Sequence, residues 1–161
     1  MTGVMIVGCG DIGQRIAALF AERRTPLWGL VQTAASLQHL RALPMEAVQV
    51  DLDRSGAIIW PAWMAGAILY YLVPPPREGH ADPRLQRFLA SIPADQKPRR
   101  IVYISTSAVY GHRDGEWVDE ETPPAPDSDR GRRRLAAEQA LQAWCAAQGV
   151  EYIVHLNHED K

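Results

Sequence analysis

The stretch Gly8-Cys9-Gly10-Asp11-Ile12-Gly13 constrains this chain more than any other. It spells G-x-G-x-x-G, follows the apolar run Val4-Met5-Ile6-Val7 and opens onto Gln14-Arg15-Ile16-Ala17-Ala18-Leu19-Phe20, which has helical periodicity. A strand, a glycine turn and a helix in that order make a dinucleotide-binding expectation. Each glycine has a job in it. Gly8 allows a tight turn off the strand, Gly10 lets a pyrophosphate approach the backbone, and Gly13 lets the helix pack close to the sheet. The helix N-terminus then presents N–H donors and a positive dipole end to the phosphates. Without a ligand, the same residues are simply a glycine turn.

The rest of the chain alternates in the same way. The second strand is expected over Leu27-Trp28-Gly29-Leu30-Val31, after a first helix from Asp11 to Arg23 that Thr25-Pro26 stops. A second helix is expected over Ser36 to Ala42 with Ser36 as its cap. The third strand is Ala47-Val48-Gln49-Val50, and the fourth is Ala67 to Val73, closed by Pro74-Pro75-Pro76. Pro61 interrupts a helical turn through Ile58 to Trp63. A third helix reads from Arg84 to Ser91 and a fifth strand from Arg100 to Ser105. Gly111 to Asp127 reads as a long surface loop, a kind that is usually functional. Asp129 to Gln148 is the clearest late helix, expected to bury Leu135, Leu141 and Trp144. Gln148-Gly149 ends it, and Tyr152-Ile153-Val154 is the sixth strand.

Near-continuous apolar strands separated by helices imply a parallel sheet covered on both faces. The expected fold is α/β: a doubly wound Rossmann sheet of order 3-2-1-4-5-6 in three α/β/α layers, with its ligand at the carboxyl ends of the strands. One domain over residues 1–154 and a polar tail over 155–161 account for all 161 residues. A net charge of −2 gives no reason to expect nucleic-acid or anionic-membrane binding. No apolar run is long enough to span a bilayer, and no basic leader precedes the first strand. Cys9 and Cys145 are far apart in sequence, which suits a reducing, cytoplasmic setting without disulfides. His155, His158, Glu159 and Asp160 gather near the end, but termini fray, and no other His/Cys cluster points to a metal.

Three groups of residues carry a family resemblance over nearly the whole chain. They are Val7-Gly8-Cys9-Gly10-Asp11-Ile12-Gly13, then Ser105-Thr106-Ser107-Ala108-Val109-Tyr110-Gly111 after the fifth strand, then Pro126, Gly131 and Leu135-Ala136-Ala137-Glu138. The chain resembles an extended short-chain dehydrogenase/reductase of the NAD-dependent epimerase/dehydratase type. G-x-G-x-x-G and the Val-Pro-Pro-Pro after the fourth strand look like its atypical members, since the usual ones carry G-x-x-G-x-x-G.

The resemblance implies a catalytic group of a Ser or Thr after the fifth strand, a Tyr and a Lys, the last two spaced Y-x-x-x-K. Counting back from Tyr110-Gly111, Thr106 falls on the Ser/Thr position, where its hydroxyl would orient a substrate. The alternative is a strand-end threonine that satisfies backbone groups. Counting back from Glu138, Arg134 falls on the lysine and Arg130 on the tyrosine. An arginine stays protonated and cannot exchange protons. Arg134 would hold a nicotinamide ribose and Arg130 an anionic substrate group, unless both belong to a solvated basic face with Arg132 and Arg133. Cations at a helix N-terminus oppose the dipole, which hints at an anionic ligand. Tyr110 is the substitute acid nearest Thr106, or else a packing residue.

The cofactor is NAD or NADP. The ribose-reading position at the end of the second strand is Gln32, followed by Thr33, with neither an acid to mark NAD nor an arginine beside it to mark NADP. Asp51-Leu52 resembles the family segment that contacts adenine, and Asp51 reads equally as a turn residue. Val73-Pro74-Pro75 is expected to line the pyrophosphate side.

The family continues past the sixth strand into a substrate-binding region, and His155 to Lys161 does not resemble that continuation. The expectation is a truncated or frame-shifted product with a nearly complete cofactor half, whose open sheet edge invites pairing with another chain. The leading function is therefore an NAD(P)-binding unit of an epimerase/dehydratase-like oxidoreductase. The missing Y-x-x-x-K and substrate region speak against turnover by this chain alone. A non-catalytic dinucleotide-responsive binding module, possible as a homo-oligomer, is the alternative; a nonfunctional fragment is the third.

Overall fold

The structure is a computed structural model and describes residues 2–54 and 56–157. Its six strands are β1 (Val4–Val7), β2 (Leu27–Val31), β3 (Glu46–Gln49), β4 (Ile68–Tyr71), β5 (Arg100–Thr106) and β6 (Glu151–Asn157). They form one sheet in the order β3-β2-β1-β4-β5-β6, every neighbouring pair parallel. Four helices connect them: α1 (Asp11–Glu22), α2 (Ala34–Leu40), α3 (Pro83–Ser91) and α4 (Asp129–Gln148). This is the expected doubly wound α/β fold, and the strand order reverses between β1 and β4.

Alternation along each strand sorts the core into two layers. Met5, Val7, Trp28, Leu30, Leu69, Tyr71, Ile101 and Tyr103 face α3 and α4, where Leu85, Phe88, Ala137, Leu141 and Cys145 meet them. An aromatic chain runs through this layer. Trp28 lies 5.5 Å from Trp60, Trp60 lies 5.6 Å from Phe88, and Phe88 lies 5.3 Å from Tyr71. Tyr71 in turn stacks on Tyr103 at 6.0 Å. Val4, Ile6, Leu27 and Val31 face the other way, toward Ala17, Ile16 and Phe20 of α1 and Leu40 of α2. That second layer ends near Tyr70. Beyond it, on the same face, Val102 and Ile104 of β5 are only half-buried and Ile153 of β6 is exposed.

The helix ends differ from expectation in informative ways. α2 begins two residues earlier, and its cap is Thr33, whose hydroxyl accepts from the Ser36 amide at 3.2 Å. Both residues are good caps, but only Thr33 has the extended backbone that a cap needs. α1 stops at Glu22, and Arg24 takes the left-handed turn with φ 56°. In α4 the fully buried positions are Gly131, Ala137, Leu141 and Cys145, while Leu135 and Trp144 are only half-buried. Pro61 caps a single 3-10 turn over Ala62–Met64 in place of the helical turn through Ile58. β6 runs past Val154 through Asn157, so His155, Leu156 and Asn157 are strand and not tail. His158, Glu159 and Asp160 lie outside the described residues.

Two glycines bring α4 to the carboxyl end of β5. Gly131 sits where a Cβ would strike the Ala108 carbonyl oxygen and come within 3.0 Å of Pro126. Gly111 has φ 72°, and a Cβ there would strike the Ala125 carbonyl oxygen. The 111–127 loop is folded back between them, with the Ala125 amide donating to Val109 O and the His112 amide to Asp127 Oδ2.

Candidate functional site

The three loop glycines divide the work as their positions require. Gly8 has φ 90°, and a Cβ would lie 2.8 Å from Val73 Cγ2 and 3.0 Å from the Val73 amide. Gly13 is as close on its other side: a Cβ would lie 3.0 Å from Ile6 Cγ2 and 3.2 Å from Gly8 O. A Cβ on Gly10 would meet nothing within 4 Å. Gly8 and Gly13 therefore serve packing, and Gly10 leaves backbone bare toward open space. No side chain caps the first turn of α1, so its amides are left to a ligand or water.

A cleft of about 320 Å³ opens on this bare backbone at the carboxyl ends of β1, β2 and β4. Gly8, Cys9, Gly10, Gln32, Leu52, Val73 and Pro74 line it, as do Leu30, Val31, Thr33, Ser36, Val50, Leu72 and Arg84. Its lining runs from a bare glycine turn at one end, past apolar walls, to hydroxyl and amide groups at the end of β2. Cys9 contributes backbone alone. Its side chain is buried in the α1 layer, and burial pushes its thiol up to about 11. Asp11 and Ile12 are exposed, and the Asp11 carboxylate lies 3.2 Å from Arg15.

Asp51 lies outside the cleft lining. Its Oδ1 accepts from the Asp53 amide at 2.9 Å and its Oδ2 lies 3.6 Å from Arg54, which is the turn role open to a strand-end aspartate. The nearby Asp53 holds Arg84 instead, in a two-pronged pair with Nε to Oδ1 at 2.6 Å and Nη2 to Oδ2 at 2.8 Å. That guanidinium keeps the Asp53 carboxyl below its usual range. Arg84 also donates to Pro74 O at 3.1 Å, tying α3 to the cleft wall. Sequence reasoning missed this pair because its members are 31 residues apart.

The expected catalytic residues do not share one pocket. Thr106 is buried, and its hydroxyl accepts from the Ala108 amide at 3.5 Å, capping the 3-10 turn Ser107–Tyr110. Tyr110 donates to Asp119 O at 3.2 Å and lines a separate depression with Leu135 and Glu138. Partial burial, with Glu138, Glu120 and Asp119 nearby, raises its pKa, the opposite of what a proton-exchanging phenol needs. Arg134 reaches back to β5. It donates to Tyr103 Oη at 3.2 Å and Ile104 O at 3.0 Å, with its cation 6.0 Å from the Tyr103 ring centre. Burial lifts the Tyr103 phenol to about 12 despite that arginine. Arg134 also lines a depression with Arg130, Arg133, Arg77 and Pro74-Pro75-Pro76, so Pro75 faces this basic side and not the cleft.

Buried polar groups cluster behind these arginines. Asp82 caps α3 through Oδ1, accepting from the Leu85 amide at 3.1 Å, while its Oδ2 is buried without a hydrogen-bond partner. The Tyr71 hydroxyl is also without one, and Ser105 lies beside the Glu138 carboxyl, opposing the effect of burial on it. Burial raises the pKa of both Asp82 and Glu138. Among the described residues, no three His, Cys, Asp or Glu side chains converge on a metal site, and no helix is long and apolar enough to cross a membrane.

Residues 74–156, just over half of the chain, match the family model described as the NAD dependent epimerase/dehydratase family. The chain belongs to this family. The match begins at the proline run and ends in β6, so the glycine loop lies outside it. Solved structures extend the likeness in fold. A functionally unknown conserved protein from Silicibacter pomeroyi is 27% identical with a TM-score of 0.76, over 96% of this chain and 51% of that one. The UDP-glucuronic acid 4-epimerase of Bacillus cereus, in complex with NAD, is 20% identical with a TM-score of 0.75, over 98% and 56%. A UDP-galactose 4-epimerase gives 20% and 0.75, over 95% and 55%. The chain thus spans about half the length of these structures. No curated protein sequence matches it.

Proposed function

We propose that this epimerase/dehydratase family member binds a nicotinamide dinucleotide and forms the cofactor half of an oxidoreductase. The carrying observation is Gly10, an open glycine at an uncapped helix start, facing a cleft at the strand-order reversal. Gly8 to Gly13 would hold the pyrophosphate, Gln32 and Leu52 the adenosine side, and Val73-Pro74 the opposite wall. NAD in the Bacillus cereus epimerase complex supports this choice, with NADP the other candidate. When bound, the nicotinamide supplies hydride exchange with a carbinol carbon.

The chain's own residues would bind and orient. Arg134, fixed by Tyr103 and Ile104, is suited to holding a ribose hydroxyl. Thr106 ends the strand that leads to it, and Arg130 adds positive charge for an anionic substrate. Neither arginine can move a proton, and the Tyr110 hydroxyl is engaged by Asp119 O. These two facts favour a second reading, a dinucleotide-responsive binding module without turnover. The half-buried Val102 and Ile104, the exposed Ile153 and the outer edge of β6 support self-association in either case. The two buried free thiols fit a cytoplasmic setting.

The test is thermal unfolding titrated with NAD, NADH, NADP and NADPH. A ligand at 100 times its Kd adds about 2.7 kcal/mol. A saturable shift with one of them is expected, and hydride exchange with a trial alcohol then separates the two readings. A chain that unfolds cooperatively but responds to none of the four would end the dinucleotide reading.

A further inference from the structure

The end of the cleft where β2 runs into α2 is polar and carries no charge. Gln32, Thr33 and Ser36 line it, and among the described residues no carboxylate lines the cleft anywhere. Two aspartates lie close by, and both are turned to other partners. Asp51 accepts from the Asp53 amide at 2.9 Å and faces Arg54 at 3.6 Å, outside the lining. Asp53 takes both prongs of Arg84, so the guanidinium that lines the cleft is already paired.

The hydroxyls at this end are set by the cap of α2. Thr33 Oγ1 accepts from the Ser36 amide at 3.2 Å and donates to Ser36 Oγ at 2.9 Å. Ser36 Oγ has thus accepted one hydrogen bond and keeps its own proton to donate. Beside it, Gln49 Nε2 donates to Gln32 O at 3.3 Å and ties the end of β2 to β3.

A carboxylate at the end of β2 would select the cofactor in two ways. It accepts from the ribose 2′-hydroxyl of NAD, and it repels the 2′-phosphate of NADP. Neutral hydroxyl and amide groups do neither. The Ser36 hydroxyl can donate to a ribose oxygen or to a phosphate oxygen. The phosphate makes the stronger bond and gives up more hydration to make it, so the two effects oppose each other.

We infer that the cleft takes NAD and NADP alike, with the Ser36 hydroxyl donating to whichever oxygen the 2′ position carries. The inference rests on the dinucleotide reading and adds what the adenosine end selects. Gln32 stands where a carboxylate would choose NAD, and leaves the choice open.

Calorimetric titration of the full chain with NAD and with NADP tests this. The dinucleotide reading needs only one of them to bind. This inference needs both, with Kd values less than about tenfold apart. Gln32→Asp should open a gap, raising the NADP Kd by about tenfold or more while the NAD Kd stays equal or falls. Ser36→Ala should weaken both cofactors by about threefold to tenfold, the loss of one hydrogen bond, and Ser36→Thr should restore them. Ser36→Ala keeps the amide that Thr33 caps, and Gln32 is exposed, so both variants should keep the fold. A preference of about tenfold or more for either cofactor in the wild type overturns the inference. So does a Gln32→Asp variant that still binds both alike, or a Ser36→Ala variant that loses affinity for only one or for neither. Failure of the dinucleotide reading is a different result, in which a chain that unfolds cooperatively binds neither cofactor, and it ends both.

Discussion

A methyl group at Gly10 touches nothing in the protein, so its effect separates binding from stability. Gly10→Ala should leave unfolding unchanged or raise stability by up to about 1 kcal/mol through the unfolded chain, while abolishing the cofactor-dependent thermal shift. Gly8→Ala should instead cost about 1–3 kcal/mol, because φ 90° is a region that L side chains rarely adopt. If both variants lose only stability, the loop is structural. Asp82 offers a pH test at the same scale. Its folded pKa is raised by burial, so the folded protein keeps a proton that the unfolded chain releases. That contribution is full below the unfolded value of about 3.9 and is lost as pH rises through the folded value. Glu138 is raised in the same sense and adds to the slope. Asp82→Asn keeps a capping oxygen and removes the charge. Denaturant unfolding should therefore show the variant gaining on the wild type as pH climbs through this window. Asp82→Ala loses the cap as well, at about 1 kcal/mol. Parallel pH profiles for wild type and Asn variant would refute the buried-charge account.

Elements meet at this site through contacts that span long sequence distances. Arg84 joins α3 to both the loop after β3 and the Pro74 carbonyl. Arg84→Ala should release that wall and weaken dinucleotide binding several-fold, with little change in helix content by circular dichroism. An unchanged NAD affinity would make the tie irrelevant to the cleft. α4 depends on Gly131 to approach the turn after β5. Gly131→Ala forces a methyl against the Ala108 carbonyl and Pro126, and overpacking of this kind costs about 1–3 kcal/mol. Gly131 was recognisable in sequence only through resemblance, since a glycine in the first turn of a helix has no local reason to be there. The α2 cap shows another limit. Thr33 and Ser36 offer the same chemistry three residues apart, and backbone geometry chose between them.

The whole molecule is held together by strands that serve two layers at once. β1 sends Met5 and Val7 to α3 and α4, and Val4 and Ile6 to α1 and α2. Neither layer can melt without exposing the other. Tryptophan fluorescence, to which the buried Trp28 and the Trp60 packed on Phe88 contribute among five tryptophans, should therefore coincide with far-ultraviolet dichroism in one transition. Phe88→Ala removes the centre of the aromatic chain and should cost about 3–5 kcal/mol, a large share of a typical total of about 5–15. Two separated transitions would show that the layers are independent.

Strand order and layer count were legible in the amino-acid sequence, as was the glycine turn that a cleft opens on. They follow from apolar runs, helical periodicity and one glycine turn, patterns that act over about ten residues and survive any choice of side-chain direction. The tertiary structure alone decided where the candidate site side chains point. It turned Cys9 into the core, bound the Tyr110 hydroxyl to Asp119 O, and aimed Asp51 at its own turn. It also brought Arg77 from beyond the proline run against three arginines of α4. Side-chain direction depends on packing partners tens of residues away, so no local pattern records it.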